Sequence, residues 1–199
     1  TKKGGVRMIT YSAWYDVHIG SPISLFKTFD DFLKVLNPDD PYEILGGDII
    51  DLANCHKSDV DTMIGYRAEL KRRYGPRYFD GNHEVTDSDW NSEYISNGII
   101  FRHFDGESWG YERANQYRSK KAGASSFKRN FIIPLIQEYE LNNPFRTPKD
   151  AVIERAVQIA KDKKCHTYVG GHFHPNSIID IRGSARVMIM PRGKTSFIS

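Results

Sequence analysis

Residues 42–51 read YEILGGDIID. Tyr42 to Leu45 reads as a short buried-type strand, running into Gly46-Gly47 directly before Asp48. Asp48 and Asp51 thus stand at a strand's carboxyl end. Reading back from this stretch, Ser21-Pro22 is expected to start a helix, with Ser as cap and Pro at the first helical position. Ile23, Phe26, Phe29, Leu33 and Leu36 follow at helical spacing, and Asn37-Pro38 closes the segment. Before that helix, Arg7 to Tyr15 (RMITYSAWY) is a predicted strand ending at Asp16. Reading forward, a helix is expected over Ser58 to Arg73 with Ser58 as its cap. Arg77 to Phe79 is a short strand ending at Gly81-Asn82-His83, and Ser88 to Ser96 reads as a short helix stopped by Asn97-Gly98. Ile99 to Arg102 is then a strand that delivers His103. Alternating strand and helix argues an α/β layered sheet. In such sheets, sites form beyond the carboxyl ends of strands.

The stretch Asp105 to Asp150 differs. It is basic and aromatic at first (ESWGYERANQYRSKKAG), then helix-like from Ser126 to Asn142 with Pro134 interrupting. Between Glu112 and Arg129 lie Arg113, Arg118, Lys120, Lys121, Lys128 and Arg129 against one acid, Glu112, a local surplus of five positive charges in a chain of net charge +3. Such a run is read first as a solvated helical excursion, and second as a lid that brings cations to an anionic substrate. Thr147-Pro148 opens an amphipathic helix through Lys163 that buries Val152, Ala156, Val157 and Ile159. His166 to Val169 is the next strand, and Ser177 to Ser199 reads as a hairpin around Arg182-Gly183 with a further short strand.

A length of 199 residues fits one domain, and 39% hydrophobic with 27% charged residues suits a globule able to fill a core. No uninterrupted apolar run approaches the length of a membrane span. No charged-then-apolar amino-terminal stretch has the form of a secretion signal. Cys55 and Cys165 lie far apart and outside any C-x-x-C spacing, so neither a thiolate zinc site nor a disulfide framework is expected, and the reading is cytoplasmic.

Five short blocks carry most of the metal-binding side chains. They are Asp16-Val17-His18, Gly47-Asp48-Ile49-Ile50-Asp51, Gly81-Asn82-His83-Glu84, His103 and Gly171-His172-Phe173-His174, and they hold five of the seven histidines. Carboxylate, imidazole and amide oxygen together form the ligand set of a hydrolytic transition-metal site. Residues two apart in a strand share a side, so Asp16 with His18, and His172 with His174, are expected to aim at one pocket. Gly47, Gly81 and Gly171 each precede an expected ligand, as where backbone turns sharply or packs against a cluster. A carboxylate has two oxygens, so one Asp can bridge two cations about 3.5–4 Å apart.

The order and spelling of the blocks resemble the calcineurin-like metallophosphoesterases, whose pattern reads D-x-H, G-D-x-x-D, G-N-H-[DE], H, G-H-x-H. The resemblance runs from Asp16 to His174. It implies a single domain over 1–199, built as a four-layer α-β-β-α sandwich with a basic helical excursion or lid at about 105–150. It also implies an enzyme that hydrolyses a phosphomonoester or phosphodiester by metal-activated hydroxide. Carried over residue by residue, Asp16, His18, Asp48 and His174 would hold one ion. Asp48 as the bridge, Asn82, His103 and His172 would hold the other. His83 would be the general acid at the leaving-group oxygen, Asp51 would orient it, and Glu84 would buttress the loop. His103 is assigned by its place at the end of a strand; His56 follows no strand and is read as an exposed polar residue, and His166 as a strand-entrance residue without a role. The oxygen and imidazole set suits two divalent transition-metal ions, Mn²⁺ first, with Fe, Zn, Co or Ni as alternatives.

Departures within the family narrow the substrate. Its serine/threonine protein phosphatases follow the second block with Arg-Gly and place Arg before Gly-Asn-His-Glu, whereas here Leu52-Ala53-Asn54 follows Asp51 and Asp80 precedes Gly81. Without those phosphate-clamping arginines, a phosphoprotein substrate is disfavoured. The layout of His103-Phe104-Asp105, a basic excursion and then Gly-His-x-His resembles the UDP-diacylglucosamine hydrolases, which read His-Gly-Asp there and commonly carry Arg at the His83 position. That leaves a nucleotide-type pyrophosphate as an alternative substrate. Asp16-x-His18-x-Gly20 and Gly-His-x-His-Pro175 resemble repair exonucleases, and Tyr111, Tyr117 and Phe127 among the cations would suit a small DNA or RNA nuclease. A non-enzymatic binding module is the remaining class, and the complete ligand set argues against it.

Overall fold

The computed structural model describes residues 8–84, 92–109, 112, 116, 122–136, 149–174 and 178–199. The chain is mixed α/β with two mixed sheets. In the first sheet, β1 (Thr10–Tyr15) runs parallel to β2 (Glu43–Gly46), which runs parallel to β3 (Tyr78–Phe79). On its other side, β1 pairs antiparallel with β9 (Gly193–Ile198). The second sheet has the order β4 (Glu93–Ser96), β5 (Ile99–Arg102), β6 (Thr167–Gly170), β8 (Ala185–Ile189), β7 (Ile178–Arg182), with β5, β6 and β8 parallel and β4 and β7 antiparallel at its edges.

Strand composition explains these places. Every residue of β2 and of β6 is buried, as in a parallel strand covered on both faces. Edge strand β7 instead alternates, with Ile179 and Ile181 exposed. Side-chain alternation also divides the core. Tyr11, Ala13, Tyr15 and Ile44 of the first sheet pack in one cluster with Ile99, Phe101, Val169 and Met188 of the second. Trp14 and Leu45 point the other way, into a cluster with Phe29 and Phe32 of helix α1 (Phe29–Leu33) and Met63 and Leu70 of helix α2 (Val60–Tyr74). Ile100, Tyr168 and Val187 pack with Val152, Ile153, Ala156, Val157 and Ala160 of the amphipathic helix Asp150–Asp162. A short helix α3 (Asp105–Trp109) follows β5, so the helix at Asp150–Asp162 is α4.

Several boundaries differ from the sequence reading. The helix expected from Ser21-Pro22 begins at Phe29 and is capped by Thr28, whose hydroxyl accepts from the Asp31 N–H. Ser24 accounts for the loss, because its Oγ accepts from Phe26 N and donates to Phe26 O, a local turn that competes with the helix. The second helix is entered through a 3₁₀ turn, Lys57–Asp59, where the His56 ring rather than Ser58 accepts the first N–H. Glu93 to Ser96, expected as helix, is strand β4, hairpinned to β5 by Asn97 and Gly98, both at positive φ (49° and 73°). Asn-Gly is the favoured pair for that turn, a signal the helical reading of Ser88–Ser96 overrode. Residues 88–91, like Thr147 and Pro148, lie outside the described residues. Ile159 is only partly buried, and Ile153 and Ala160 complete the α4 face instead. The expected Ser126–Asn142 helix includes a π-helical turn, Lys128–Ile132, and residues 137–142 lie outside the described set. Among the described residues no helix is long and apolar enough to cross a membrane.

Candidate metal centre

Parallel strands bring their carboxyl ends to one edge. The chain leaves β1 at Asp16, β2 at Gly47-Asp48, β3 at Asp80-Gly81-Asn82, β5 at His103 and β6 at Gly171-His172. Asp16, His18, Asp48, Asn82 and His103 are all buried. Convergence does not arise from the strand alternation expected of Asp16 with His18 and His172 with His174, because all four lie beyond strand ends. Asp16 (φ 55°), His18 (59°), Asp48 (52°), His172 (80°) and His174 (52°) are all left-handed. Such backbone is costly for residues with a Cβ, of order 1–3 kcal/mol each, and it clusters at functional sites.

The side chains close on one another. Asp16 Oδ1 lies 3.0 Å from His103 Nε2 and 3.1 Å from His174 Nε2, while its Oδ2 accepts the His172 N–H at 2.9 Å. Asp48 Oδ2 is 3.5 Å from His103 Nε2, and its Oδ1 accepts the His83 N–H at 2.7 Å. The carboxylate oxygen that touches imidazoles of both expected ion sets therefore belongs to Asp16, where the resemblance makes Asp48 the bridge. The rings of His103 and His172 are centred 5.2 Å apart, and those of His18 and His174 5.6 Å. Among the described residues, the donors of Asp16/His18/His174 and of Asp16/Asp48/His103 lie close enough to share an ion. A third, His18/Asp51/His83, is already satisfied. There, Asp51 Oδ1 takes the Asn54 N–H and His83 Nδ1, and Oδ2 takes His18 Nδ1 and the Asn54 amide.

The donor set fits cations. Among the described residues, His18 Nε2 and Asn82 Oδ1 are buried with no hydrogen-bond partner, a costly state for polar atoms unless something accepts or donates there. Burial first, and the neighbouring His103 second, hold His172 down to about 3, so its ring is neutral and keeps a lone pair. Burial likewise lowers His18. At His103 burial also lowers, but the carboxylates of Asp48 and Asp16 outweigh it and hold the ring well above its ordinary value. The field that holds a proton there would equally hold a metal cation. Cys55 belongs to none of these donor groups: its Sγ contacts Leu52 O, and burial first and Asp51 second push its thiol up to about 11.

Glycines let the loops meet. A Cβ on Gly47 would lie 2.8 Å from the His103 ring, one on Gly81 2.3 Å from Asp48 Oδ1, and one on Gly171 2.6 Å from Asp16 Oδ2. Glu84 ties two loops, accepting from the N–H groups of Asp48, Ile49, Ile50 and Gly81 and from Tyr78 Oη. Burial, Asp48 and Asp80 push it up to about 8.

His83, beside Asn82, is the partly open member of the Asp51 group, and its Nε2 stands 4.0 Å from Asp48 Oδ2. Neither of the other histidines joins the site. His56 contacts Ser58 and Ser126, and His166 contacts Thr167. Sequence reasoning gave Asn54 no role, read Asp105 only in the His103-Phe104-Asp105 layout and Arg129 only as one cation of the basic run. Asp105 Oδ1 lies 3.8 Å from His103 Nδ1, and Arg129 donates to the carbonyls of Gly20 and Asn54. The Asp51-x-x-Asn54 spacing was the available signal for Asn54, since an Asp side chain commonly accepts the N–H three residues on. Of the stretch read as basic and aromatic, Tyr111, Arg113, Tyr117, Arg118, Lys120 and Lys121 lie outside the described residues, as does Pro175, while Phe127 is exposed.

Neither a protein-family model nor a curated protein sequence matches this chain.

Proposed function

We propose that this chain is a dinuclear-metal-dependent phosphoesterase of the calcineurin-like type, built as a four-layer α-β-β-α sandwich and hydrolysing a phosphomonoester or phosphodiester. The observation that carries the reading is the left-handed backbone at five of the seven expected ligands, gathered with His18 Nε2 and Asn82 Oδ1, which are buried without a partner among the described residues. Asp16, His18, Asp48 and His174 would hold one divalent ion, and Asp48, Asn82, His103 and His172 the other; Asp16 Oδ1 contacts an imidazole of each set. Such ions supply an activated water and neutralise charge on phosphoryl oxygens. Mn²⁺ suits this oxygen and imidazole set, as do Fe, Zn, Co and Ni.

The remaining work falls to His83. Its Nδ1 is engaged by Asp51 at 2.9 Å, so the proton on Nε2 is the one available to the leaving group. As the P–O bond breaks, that proton passes to the departing oxygen, and solvent returns one to the ring. Asp51 stabilises the charged ring before the transfer and fixes which nitrogen faces the substrate.

A chromogenic monoester and its diester counterpart, assayed with defined metals, separate phosphatase from diesterase. His83→Gln is expected to keep both ions and to lose on the order of 10²–10⁴-fold in turnover on alkyl esters, whose leaving groups need a proton. Wild-type rates from that variant on alkyl phosphates would remove His83 from the role of acid.

A further inference from the structure

Asn54 stands where two parts of the molecule meet. Its backbone N–H donates to Asp51 Oδ1 at 2.9 Å and its amide Nδ2 to Asp51 Oδ2 at 3.1 Å, so both carboxylate oxygens are fixed from one residue. The same Nδ2 lies 3.0 Å from His83 Nδ1, against the edge of the ring. The opposite amide rotamer would turn a carbonyl oxygen toward a carboxylate, so the donor assignment follows from the partners. On its other side, the Asn54 carbonyl accepts from Arg129 Nη1 at 2.8 Å, and that nitrogen also donates to Gly20 O at 2.7 Å. One guanidinium thus clamps the loop after His18 to the loop that carries Asp51. The segment that supplies it runs beside residues 52–57, with Gly123 N donating to Leu52 O and Ala124 N to Cys55 O, both at 2.7 Å.

We propose that Asn54 is a positioning residue for His83, and that Arg129 holds Asn54 in place, making the segment around 122–129 part of the leaving-group side of the site. The proposal rests on the phosphoesterase reading for its consequence in catalysis, but its geometry stands apart from it. A general acid works only when its proton is held close to the line of the departing oxygen, and misplacement by about 1 Å costs on the order of 10²-fold. His83 Nδ1 meets Asp51 Oδ1 at 2.9 Å, so the direction of its Nε2 depends on how firmly Asp51 is held. Charge-assisted donation from one Arg129 nitrogen to two carbonyls is suited to that task.

The test uses Asn54→Ala, Arg129→Met and, as a control, Ser126→Ala. The control removes a contact between the same segment and His56 that does not reach Asn54. In ¹⁵N-labelled, chelator-treated protein, the His83 Nδ1–H resonance is expected to be sharp in wild type and in the control, and exchange-broadened in both test variants. With metal restored, ion stoichiometry and KM should be unchanged. Turnover of alkyl phosphates should fall on the order of 10–100-fold in both variants, while a dinitrophenyl ester, which needs no proton, is cleaved as before. An equal loss on every ester, or an unaltered Nδ1–H signal, overturns the proposal. If Asn54→Ala does not fold, Arg129→Met decides the same question. A wild-type protein that cleaves no ester would instead overturn the phosphoesterase reading, and the Nδ1–H signal would still decide whether Asn54 and Arg129 hold the ring.

Discussion

Asp51 divides one carboxylate between two histidines, and this sets the protonation of the site's open side. His83 would be lowered by burial, but the charges of Asp51 and Asp48 outweigh it and push the ring up to about 9. Asp51 answers in kind: burial raises it, and His83 and His18 bring it well below the ordinary carboxylate range. Because the folded pKa of His83 lies above its unfolded value of about 6.5, its stabilising contribution is complete below about pH 6.5. It is lost as pH rises through about 9. In chelator-treated protein, the urea midpoint of wild type should therefore fall more steeply between pH 6.5 and 9 than that of Asp51→Asn. Parallel slopes would mean that the pair is not charged in the folded state. At this scale much was legible in the sequence. Asp16, His18, Asp48, Asn82, His103, His172 and His174 stand out because carboxylate, amide and imidazole recur at segment ends, with Asp48, Asn82 and His172 directly after glycine. Arg129 could not be found that way, since its contact with Asn54 spans 75 residues and involves only a backbone carbonyl, which any residue could offer.

Among the elements, the strands were the more legible. β1, β5 and β8–β9 follow from β-branched and aromatic runs punctuated by Gly, while helix starts failed where serine offered the backbone a competing turn, as at Ser24. β4 was misread because EYIS is short and its Asn-Gly turn also serves as a helix stop. What no periodicity argument supplied is the geometry just past the strands. There the chain turns left-handed at Asp16, Asp48 and His172, and close packing by glycine replaces the side-to-side alternation of a strand. Gly171→Ala isolates this. Its Cβ would meet Asp16 Oδ2 at 2.6 Å and displace the carboxylate that accepts the His172 N–H. Metal affinity is expected to fall on the order of 10–100-fold, the range typical of a displaced supporting contact, while the fold persists. Calorimetric affinity equal to wild type would show that the loop tolerates the methyl group and that Asp16 is not held from that side.

On the scale of the molecule, the site depends on two sheets presenting their parallel strand ends together. Asp16, Asp48 and Asn82 come from the first sheet, and His103, His172 and His174 from the second. The cluster of Tyr11, Tyr15, Phe79, Phe101, Val169 and Met188 fixes the distance between them. Phe101 is fully buried there, beside Tyr11, Tyr94 and Phe197. Phe101→Ala should cost about 3–5 kcal/mol in urea unfolding, and a loss under 1 kcal/mol would show that the shared core is loosely packed. Ion binding reads the same arrangement directly. Chelated protein titrated with Mn²⁺ and measured by elemental analysis after desalting should retain two ions per chain, and Asp48→Asn should retain fewer and turn over no ester. A wild-type chain that retains no ion, or an Asp48→Asn chain that keeps both, would contradict the account at its centre.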